Sequence, residues 1–201
     1  IIYITNISYN PKGQRENIYY GNNTKTRYDY NPLNFRLERI LTTRNGGQDI
    51  LQDLNYIYDP EGNIIEIRDH AQQIHYFNNH VVDPVSRYKY DALYRLTEAT
   101  GRELSNLSIP THKDFENDIP SPDTDANAMR NYTQKFAYDT IGNMQYVKNE
   151  GQWTRNYHYM DNNYLLNHDS HSQEEVYKYD SHGNMIEITY LPSTMNWDCK
   201  D

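Results

Sequence analysis

A six-residue pattern, Tyr-Asp-x-x-Gly-Asn, recurs along the chain and limits its fold more than any other feature. The full pattern occupies residues 58–63, 138–143 and 179–184. Weaker copies begin at Tyr9, Tyr30, Tyr90 and Tyr159. Neighbouring copies lie about 20 residues apart where no extra loop intervenes. A unit this short cannot bury a core alone, so the units must stack into one continuous structure.

The residues before each turn predict a β-strand. Aromatic residues two positions apart precede most of the copies, and this spacing places both rings on one face of a strand. The pairs are Tyr28/Tyr30, Tyr56/Tyr58, Tyr88/Tyr90, Phe136/Tyr138, Tyr157/Tyr159 and Tyr177/Tyr179. After the turn, apolar and polar residues alternate again in residues 65–68 and 186–190. This alternation predicts an antiparallel sheet with one solvated face.

The turn residues predict that each unit is a β-hairpin. Asp is favoured at the first position of a type I turn, and glycine adopts the positive φ that follows it. The predicted fold class is therefore all-β, an antiparallel sheet of repeated hairpins. The residues predicted to build the repeat are Tyr56, Tyr58, Asp59, Gly62, Tyr88, Tyr90, Asp91, Tyr138, Asp139, Gly142, Tyr177, Tyr179, Asp180 and Gly183. We expect the tyrosine pairs to be largely buried, with Arg68, Lys178 and Glu187 pointing away from them.

Two regions are harder to interpret. Residues 91–99 carry Leu93 and Leu96 three positions apart, which is compatible with a helix, but the repeat register favours a turn and a strand there. Between Ser105 and Arg130, three prolines and five acidic residues predict a solvated loop. We therefore predict one repeat segment over residues 1–201, with a loop insertion at about 105–130.

Composition excludes several classes of protein. A net charge of −9 and a mean hydropathy of −1.02 lean toward disorder, but 21 tyrosines supply large rings that favour strands. No apolar run approaches the ~20 residues of a membrane span. The excess of 28 acidic over 19 basic residues argues against a nucleic-acid partner. The chain opens without Met or a signal segment, which we interpret as a piece of something longer.

The three full copies resemble a known family, the rearrangement-hotspot (RHS) or Tyr-Asp (YD) repeat proteins. Residues 88–103 are more specific, because they are similar to the repeat region of the B and C components of bacterial insecticidal toxin complexes and of related secreted virulence proteins. Residues 129–134 and 191–198 are similar to the same group. In such proteins the repeats form a long antiparallel sheet that spirals into a hollow shell around a C-terminal toxic polypeptide.

The resemblance implies a structural wall segment of such a shell, which encapsulates and helps deliver a toxic polypeptide and has no chemistry of its own. The implied partners are neighbouring repeats of the parent chain or of a partner toxin-complex component, and the encapsulated polypeptide. The implied location is secreted or at the bacterial cell surface. The chain departs from the pattern where Asn10 and Asn31 replace Asp and where Met160 interrupts one copy.

We predict no catalytic, cofactor-binding or metal-binding residues and no enzymatic activity. His168, Asp169 and His171 form the most metal-like cluster, but their surroundings predict strand and turn instead of the helix that this spacing suits. Residues 123–127 mimic the start of a calcium loop but lack its glycine and its closing glutamate. Glu66 and Glu187 occupy equivalent places in two repeats, which favours a solvent-facing role over glycoside chemistry.

The alternative function is a cell-surface module that binds carbohydrate or choline. Tyrosine-rich repeats of about 20 residues also occur in solenoids whose stacked aromatic rings hold such ligands. The two tryptophans, Trp153 and Trp197, do not repeat with the unit. The paired tyrosines are explained more simply as a packing layer, which favours the wall segment.

Overall fold

The structure is a computed structural model that describes residues 2–105, 128–170, 173–189, 191 and 194–198. Its described residues form sixteen β-strands and a short 3-10 turn at Asn45–Gly47, with no α-helix among them. The strands are β1 Ile4–Tyr9, β2 Arg15–Tyr20, β3 Thr24–Tyr30, β4 Leu37–Arg44, β5 Asp49–Tyr58, β6 Ile64–Asp69, β7 His75–Phe77, β8 His80–Val82, β9 Val85–Tyr90, β10 Leu96–Leu104, β11 Met129–Tyr138, β12 Met144–Asn149, β13 Trp153–Tyr159, β14 Leu165–Ser170, β15 Gln173–Tyr179 and β16 Met185–Ile188. The predicted all-β fold class is confirmed.

The described residues divide into two compact units, one of residues 2–105 and 128–131 and the other of the described residues from 132 to 198. In the first unit, neighbouring strands follow the order β1-β2-β3-β4-β5-β6-β9-β10, and β7 pairs with β8 in a small separate sheet. In the second unit the order is β11-β12-β13-β14-β15-β16, to which β11 contributes its residues from Tyr132 onward. All of these pairings that the structure describes are antiparallel.

The structure decides between helix and strand for residues 91–99 and moves one end of the predicted insertion. The helix considered for residues 91–99 is wrong, because β10 begins at Leu96 and pairs with β9. The insertion predicted at about 105–130 ends earlier, since Met129 and Arg130 already belong to β11. Residues 106–127 lie outside the described residues, so the insertion itself and the single repeat segment over 1–201 stay predictions.

Cross-strand register gives each sheet two chemically different faces. On what we call the aromatic face, Tyr56 lies opposite Ile67, and Tyr177 lies opposite Ile188. On what we call the charged face, Lys178 lies opposite Glu187 and donates to both of its carboxylate oxygens at 2.8 and 2.9 Å. Because side chains alternate along a strand, this separation follows directly from the spacing of two in the sequence.

The expectation that the tyrosine pairs are largely buried holds in part, because each of these residues is partly buried and none is fully enclosed. Of the described hydrophobic side chains, those that are buried are Ile18, Val82, Val85 and Ala99. A half-buried face is the consequence of a sheet whose aromatic face is not covered by a second packed layer of described residues. Lys178 and Glu187 do point away, with 59% and 42% of their side chains exposed.

Candidate functional site: the tyrosine-aspartate turns

The aspartate of each full copy closes its own turn through its carboxylate. Oδ1 of Asp139 accepts the backbone N–H groups of Ile141, Gly142 and Asn143 at 3.0, 2.8 and 2.8 Å. Its Oδ2 accepts the side-chain amide of Asn143 at 2.9 Å. Counted from the aspartate, the first and fifth residues of the turn are therefore joined by both backbone and side chain, which explains why Asp and Asn recur together.

The other full copies repeat this arrangement. Asp59 accepts the backbone N–H of Asn63 at 2.8 Å and its side-chain amide at 2.7 Å. Asp180 accepts the same two groups of Asn184 at 2.9 and 3.0 Å. The side-chain amide of Asn63 and the backbone N–H groups hold the pKa of Asp59 below its usual value. The backbone N–H of Asn184 has the same effect on the pKa of Asp180.

Imperfect copies reach the same geometry with different side chains. Asp91 accepts the backbone N–H and the guanidinium of Arg95 at 3.0 and 2.7 Å, so that Arg95 takes the place of the asparagine. Where Asn10 replaces the aspartate, its amide group donates to the side-chain oxygen of Gln14 at 2.9 Å. The residues at the first and fifth positions are thus complementary as a pair, and the turn does not depend on one fixed residue type.

The fourth residue of these turns has a left-handed backbone. The φ values are +110° at Gly62, +103° at Gly142 and +88° at Gly183, a region that glycine adopts without strain. Tyr94 and Asn163 occupy the same position with φ of +61° and +65°. A tyrosine in this conformation is strained by roughly 1 kcal/mol.

A β-bulge follows each of the seven hairpin turns. Tyr58 lies opposite Ile64, but the next pair joins Ile57 to Glu66, so Ile65 is an extra residue on the second arm. The corresponding extra residues of the other six hairpins are Glu16, Glu38, Thr97, Gln145, Leu166 and Ile186. Since a bulge adds local right-handed twist, every hairpin acquires the same deformation at the same place.

The tyrosine before the turn fastens each hairpin to the one before it. The Tyr58 hydroxyl donates to the backbone carbonyl of Leu37, which lies opposite Tyr30 in the preceding hairpin. We call this contact the tyrosine link. The five links that the structure describes are Tyr30 to Arg15 at 3.0 Å, Tyr58 to Leu37 at 2.7 Å, Tyr90 to Ile64 at 2.8 Å, Tyr159 to Met144 at 3.0 Å and Tyr179 to Leu165 at 3.0 Å. In each, the acceptor is the first residue of the preceding hairpin's second arm.

The linking tyrosines are partly desolvated. Burial raises the pKa of all five hydroxyls above the usual value of tyrosine. Burial also raises the pKa of Tyr56, and the neighbouring rings of Tyr58, Tyr28 and Tyr88 add to the effect. The aromatic face is therefore a layer of adjoining tyrosines whose linking hydroxyls are occupied by backbone carbonyls.

Trp197 makes an equivalent contact that the sequence reasoning missed. Its indole N–H donates to the carbonyl of Met185 at 2.7 Å, and Met185 lies opposite Tyr179. The backbone N–H of Met195 also donates to the carbonyl of Ile186 at 2.8 Å. The sequence already contained a sign of this contact. Met195 and Trp197 are two positions apart, like the aromatic pairs, and Asp198 follows Trp197 as an aspartate follows the second tyrosine of a pair in a full copy.

Neighbouring turns also touch each other. Arg36 donates to the carbonyls of Asp59 and Pro60 at 3.0 and 3.2 Å, and its guanidinium lies 5.6 Å from the ring centre of Tyr58. In the second unit, the ring centres of Tyr164 and Tyr179 are 4.9 Å apart. These contacts add a second connection between hairpins at the turn end of the strands.

His168 is only 7% exposed and belongs to a cluster on the aromatic face. Its Nδ1 lies 2.8 Å from the Tyr177 hydroxyl, which in turn donates to Glu175 at 3.0 Å. Burial lowers the pKa of His168, and the nearby Glu175 opposes this effect. Burial raises the pKa of Tyr177.

The structure does not bring together the metal-like triplet of His168, Asp169 and His171 that the sequence suggested. The Asp169 carboxylate points to the opposite face, where it lies 2.9 Å from Nε2 of His158, and His171 lies outside the described residues.

The charged face carries cross-strand ion pairs. The strongest geometry is between Arg39 and Asp53, with two hydrogen bonds of 2.6 and 2.8 Å to a buried carboxylate. The Arg39 guanidinium holds the pKa of Asp53 below its usual value. Glu66 pairs with Arg87 at 2.9 Å, as Glu187 pairs with Lys178. The two glutamates thus occupy equivalent places and hold cations, although each pair is exposed enough to add little stability.

Within the part of the chain that the structure describes, no helix has the length and apolar character needed to cross a bilayer. Among the same residues, no group of three or more His, Cys, Asp or Glu side chains is arranged to hold a metal ion.

Comparisons with known proteins point to one group. The toxin subunit YenC2 of Yersinia entomophaga is 35% identical over 169 residues, which is 80% of this chain and 16% of YenC2. The toxin subunit YenC1 of the same organism is 33% identical over 156 residues, or 73% of this chain and 15% of YenC1. No protein-family model matches the chain. The chain therefore spans less than a fifth of these curated relatives.

Solved structures agree with the sequence comparison. The crystal structure of TcdB2-TccC3 is 28% identical, with a TM-score of 0.71 over 94% of this chain and 10% of that chain. The same complex without its hypervariable C-terminal region matches 97% of this chain with a TM-score of 0.70, so the likeness lies outside that region. The Photorhabdus luminescens Tc holotoxin pore matches 92% of this chain and 11% of that chain with a TM-score of 0.60 and 27% identity. Together with the recurring turns, these matches show that the chain belongs to the RHS-repeat components of bacterial toxin complexes.

Proposed function

We propose that this chain forms one stretch of the wall of an RHS-repeat shell that encapsulates a toxic polypeptide and helps to deliver it. The proposal rests on one observation: a tyrosine-aspartate turn, a bulge and a tyrosine link recur together along the sheet. A wall needs area and stability at every unit, whereas a catalytic or ligand-binding site needs distinctive groups that converge at one place.

The chemistry of the tyrosines supports a structural role. Five of their hydroxyls donate to backbone carbonyls of the adjacent hairpin, so these hydroxyls are already used to hold the sheet together. Their rings are partly buried and lie side by side on the aromatic face. We infer that the segment has no hydrolytic or transfer activity of its own and needs no cofactor.

The relatives favour a C-type component of a secreted bacterial toxin complex. The curated relatives named above are the toxin subunits YenC2 and YenC1, and the solved structures with which the chain shares its fold are TcdB2-TccC3 and a Tc holotoxin pore. The proposed partners are therefore neighbouring repeats of the same component, a partner component of the complex and the enclosed polypeptide.

The test uses the whole toxin component assembled with its partner and cargo. Limited proteolysis of the cargo is followed as the temperature rises. Replacing both Gly142 and Gly183 with Ala should weaken two turns, so the cargo should become cleavable at a lower temperature than in the wild type. Tyr146→Phe, on the charged face, should leave the cleavage temperature unchanged.

Two results would contradict the proposal. One is a cargo that is cleaved equally fast in the wild type and in the glycine variant at every temperature. The other is saturable binding of glycans or choline to the 201-residue chain that Trp153→Ala abolishes while the circular dichroism spectrum stays unchanged. The second result would favour the carbohydrate- or choline-binding module.

A further inference from the structure

His168 occupies a position on the aromatic face that is aliphatic in every other tyrosine-aspartate hairpin that the structure describes. The position lies on the second arm, opposite the residue two places before the pre-turn tyrosine, as His168 lies opposite Tyr157. Its counterparts in the other six hairpins are Ile18, Ile40, Ile67, Ala99, Val147 and Ile188. The packing of a hairpin therefore does not require a polar side chain here, and His168 places an ionisable ring in an aliphatic row.

His168 is also the one histidine that is buried among those the structure describes. His158 lies on the neighbouring strand β13 but points to the charged face, where 53% of its side chain is exposed. Burial penalises the charged form of an imidazole. The site of His168 therefore favours the neutral ring.

Ionisable groups on three strands surround the ring of His168. They are Arg155 and Tyr157 on β13, Asp169 on β14, and Glu175 and Tyr177 on β15. Burial lowers the pKa of His168, and Arg155 adds to this effect, whereas Glu175 and Asp169 oppose it. The balance favours the neutral ring, although a carboxylate that could hold a proton on the ring lies next to it.

The hydrogen bonds of the ring assign its proton to one nitrogen. The Tyr177 hydroxyl donates to Oε2 of Glu175 at 3.0 Å, so its oxygen accepts from Nδ1 of His168 at 2.8 Å. A neutral imidazole carries a single N–H, which leaves Nε2 without a proton. Nε2 lies 3.5 Å from the same oxygen of Glu175. The site thus holds the neutral ring in one tautomer and has a place for one more proton.

We infer that His168, Tyr177 and Glu175 form a proton-sensitive joint between the hairpin β13–β14 and the hairpin β15–β16. The joint is closed while the imidazole is neutral, because one network then connects β14 to β15, and it loosens when Nε2 takes up a proton. We call these three residues the histidine joint. The inference goes beyond the proposed wall function and does not rest on it, since it concerns the pairing of two strands.

Acid weakens the histidine joint because the proton prefers the open chain. In the unfolded chain the ring is solvated and has a pKa of about 6.5. The pKa of His168 is lower in the folded chain, so the unfolded chain takes up the proton first as the pH falls. The stabilisation is therefore complete above about pH 6.5 and is lost as the pH falls from there toward the folded pKa. The turn carboxylates titrate at lower pH, near 4 and below.

Native-state hydrogen exchange between pH 7.5 and pH 5.5 tests the inference in the 201-residue chain. Protection of the amides that join β14 to β15, corrected for the intrinsic pH dependence of exchange, should fall several-fold, up to about tenfold. The upper limit is the gain in proton binding by a solvated imidazole over this range. Amides that join β2 to β3, where Ile18 lies opposite Thr26, should keep their protection. NMR titration of the His168 ring should give a midpoint below pH 6.5.

Three variants assign the effect to the histidine joint. His168→Ile restores the aliphatic residue of the other hairpins, so the protection between β14 and β15 should no longer change between pH 7.5 and pH 5.5. Glu175→Gln removes a carboxylate that favours the charged ring, so the NMR midpoint of His168 should fall further. His158→Gln is the matched control, because it removes an exposed histidine from the charged face and should leave the pH dependence of the joint unchanged.

The inference is overturned if the wild-type amides between β14 and β15 have the same protection at pH 7.5 and pH 5.5. It is also overturned if His168→Ile loses protection over this range as the wild type does, or if the His168 ring titrates at or above pH 6.5. Should His168→Ile fail to fold, the exchange and the ring titration of the wild type decide between these outcomes. None of them affects the proteolysis test of the wall, whose variants all retain His168.

Discussion

The two ends of the hairpins follow different rules. At the turn end, six of the seven described turns share one length and one hydrogen-bond pattern, and the turn at residues 31–36 is one residue longer. The same bulge follows all seven, although their sequences range from Asp59-Pro60-Glu61-Gly62 to a copy that begins with Met160. At the opposite end, the connections that the structure describes differ in length and form. They are three-residue turns at 21–23 and 150–152, a 3-10 turn at Asn45–Gly47 and a 15-residue excursion over 70–84 that contains β7 and β8.

The comparison indicates that the sequence repeat controls the structure at the turn end of the hairpins and not at the opposite end. A shift of one residue would move every side chain of a strand to the other face, so register has to be set somewhere. The turn, the bulge and the tyrosine link set it at one end. The opposite end is then free to vary in length, because lengthening a flexible loop costs little free energy.

Lowering the pH should reduce the stability of the turn end more than any single substitution does, because several turn carboxylates are protonated together. Hydrogen bonds lower the pKa of Asp59, Asp91 and Asp180 in the folded state. The same bonds outweigh desolvation, which acts in the opposite direction, at Asp139. Their stabilisation is therefore complete above the unfolded pKa of about 4 and is lost as the pH falls through the folded values.

The measurement is the urea midpoint between pH 6 and pH 2, which should fall steeply below about pH 4. Asp139→Asn removes one titrating turn and should flatten part of this fall. A midpoint that stays constant down to pH 2 would show that the turn carboxylates do not stabilise the fold.

Glycine substitutions should distinguish strain from crowding at the turn end. Gly183→Ala forces a left-handed alanine whose Cβ would overlap the Tyr164 hydroxyl, so unfolding should become easier by roughly 2 kcal/mol or more. At Gly142 the added Cβ would meet open space, so Gly142→Ala should cost only about 1 kcal/mol. In a Tyr164→Ala background, the cost of Gly183→Ala should fall toward that of Gly142→Ala. Equal costs in both backgrounds, by chemical denaturation, would refute the crowding argument.

The tyrosine link should be visible as the loss of one hydrogen bond. Tyr58→Phe leaves the Leu37 carbonyl without its hydroxyl donor and should reduce the free energy of unfolding by about 1 kcal/mol. Tyr146 is the matched control, because it lies on the charged face and its hydroxyl has no partner among the described residues. Tyr146→Phe should be neutral within about 0.5 kcal/mol. Equal effects of both variants would mean that the link adds no stability.

Restoring glycine should stabilise the turn that lacks it. Tyr94 is 60% exposed and left-handed, so Tyr94→Gly relieves backbone strain and sacrifices little packing. The higher entropy of glycine in the unfolded chain offsets part of the gain, which leaves a stabilisation of up to about 1 kcal/mol. A lower melting temperature for this variant would show that the Tyr94 ring contributes packing that outweighs the strain.

A lengthened loop at the opposite end should have the smallest effect. Two glycines inserted between Gly151 and Gln152 extend the turn that joins β12 to β13, outside any tyrosine-aspartate turn. Loop-closure entropy predicts a loss of only about 0.5 kcal/mol. A loss of several kcal/mol in chemical denaturation would place register control at both ends.

The sequence predicts the features that depend on neighbours along the chain. The hairpins, the two faces and the glycines of the full copies follow from residues at most a few positions apart. The departures at Asn10 and Met160 looked like interruptions, but their backbone turns persist. The N–H of Met160 still reaches the carbonyl of Tyr164 at 2.9 Å, and Asn163 tolerates the left-handed conformation.

Features that join different hairpins were not predictable in this way. The tyrosine link, the contact of Arg36 with the next turn and the role of Trp197 need a partner between 12 and 26 residues away, and no local pattern encodes that distance. The degree of burial of the tyrosine pairs was predicted only in part, because it depends on whether a second layer covers the aromatic face. Spacing fixes which face a ring lies on and leaves its exposure open.

Native-state hydrogen exchange at the turn amides tests the central claim most directly. The Asn143 backbone N–H, donated to the Asp139 carboxylate, should exchange slowly although it lies next to an exposed turn, and Asp139→Ala should abolish this protection. The amide of Gln152, which donates to the Asn149 carbonyl at the opposite end, should be unaffected by that substitution. An Asn143 amide that exchanges at the unstructured rate in the wild type would contradict the account, because the device that sets the register would then not be formed.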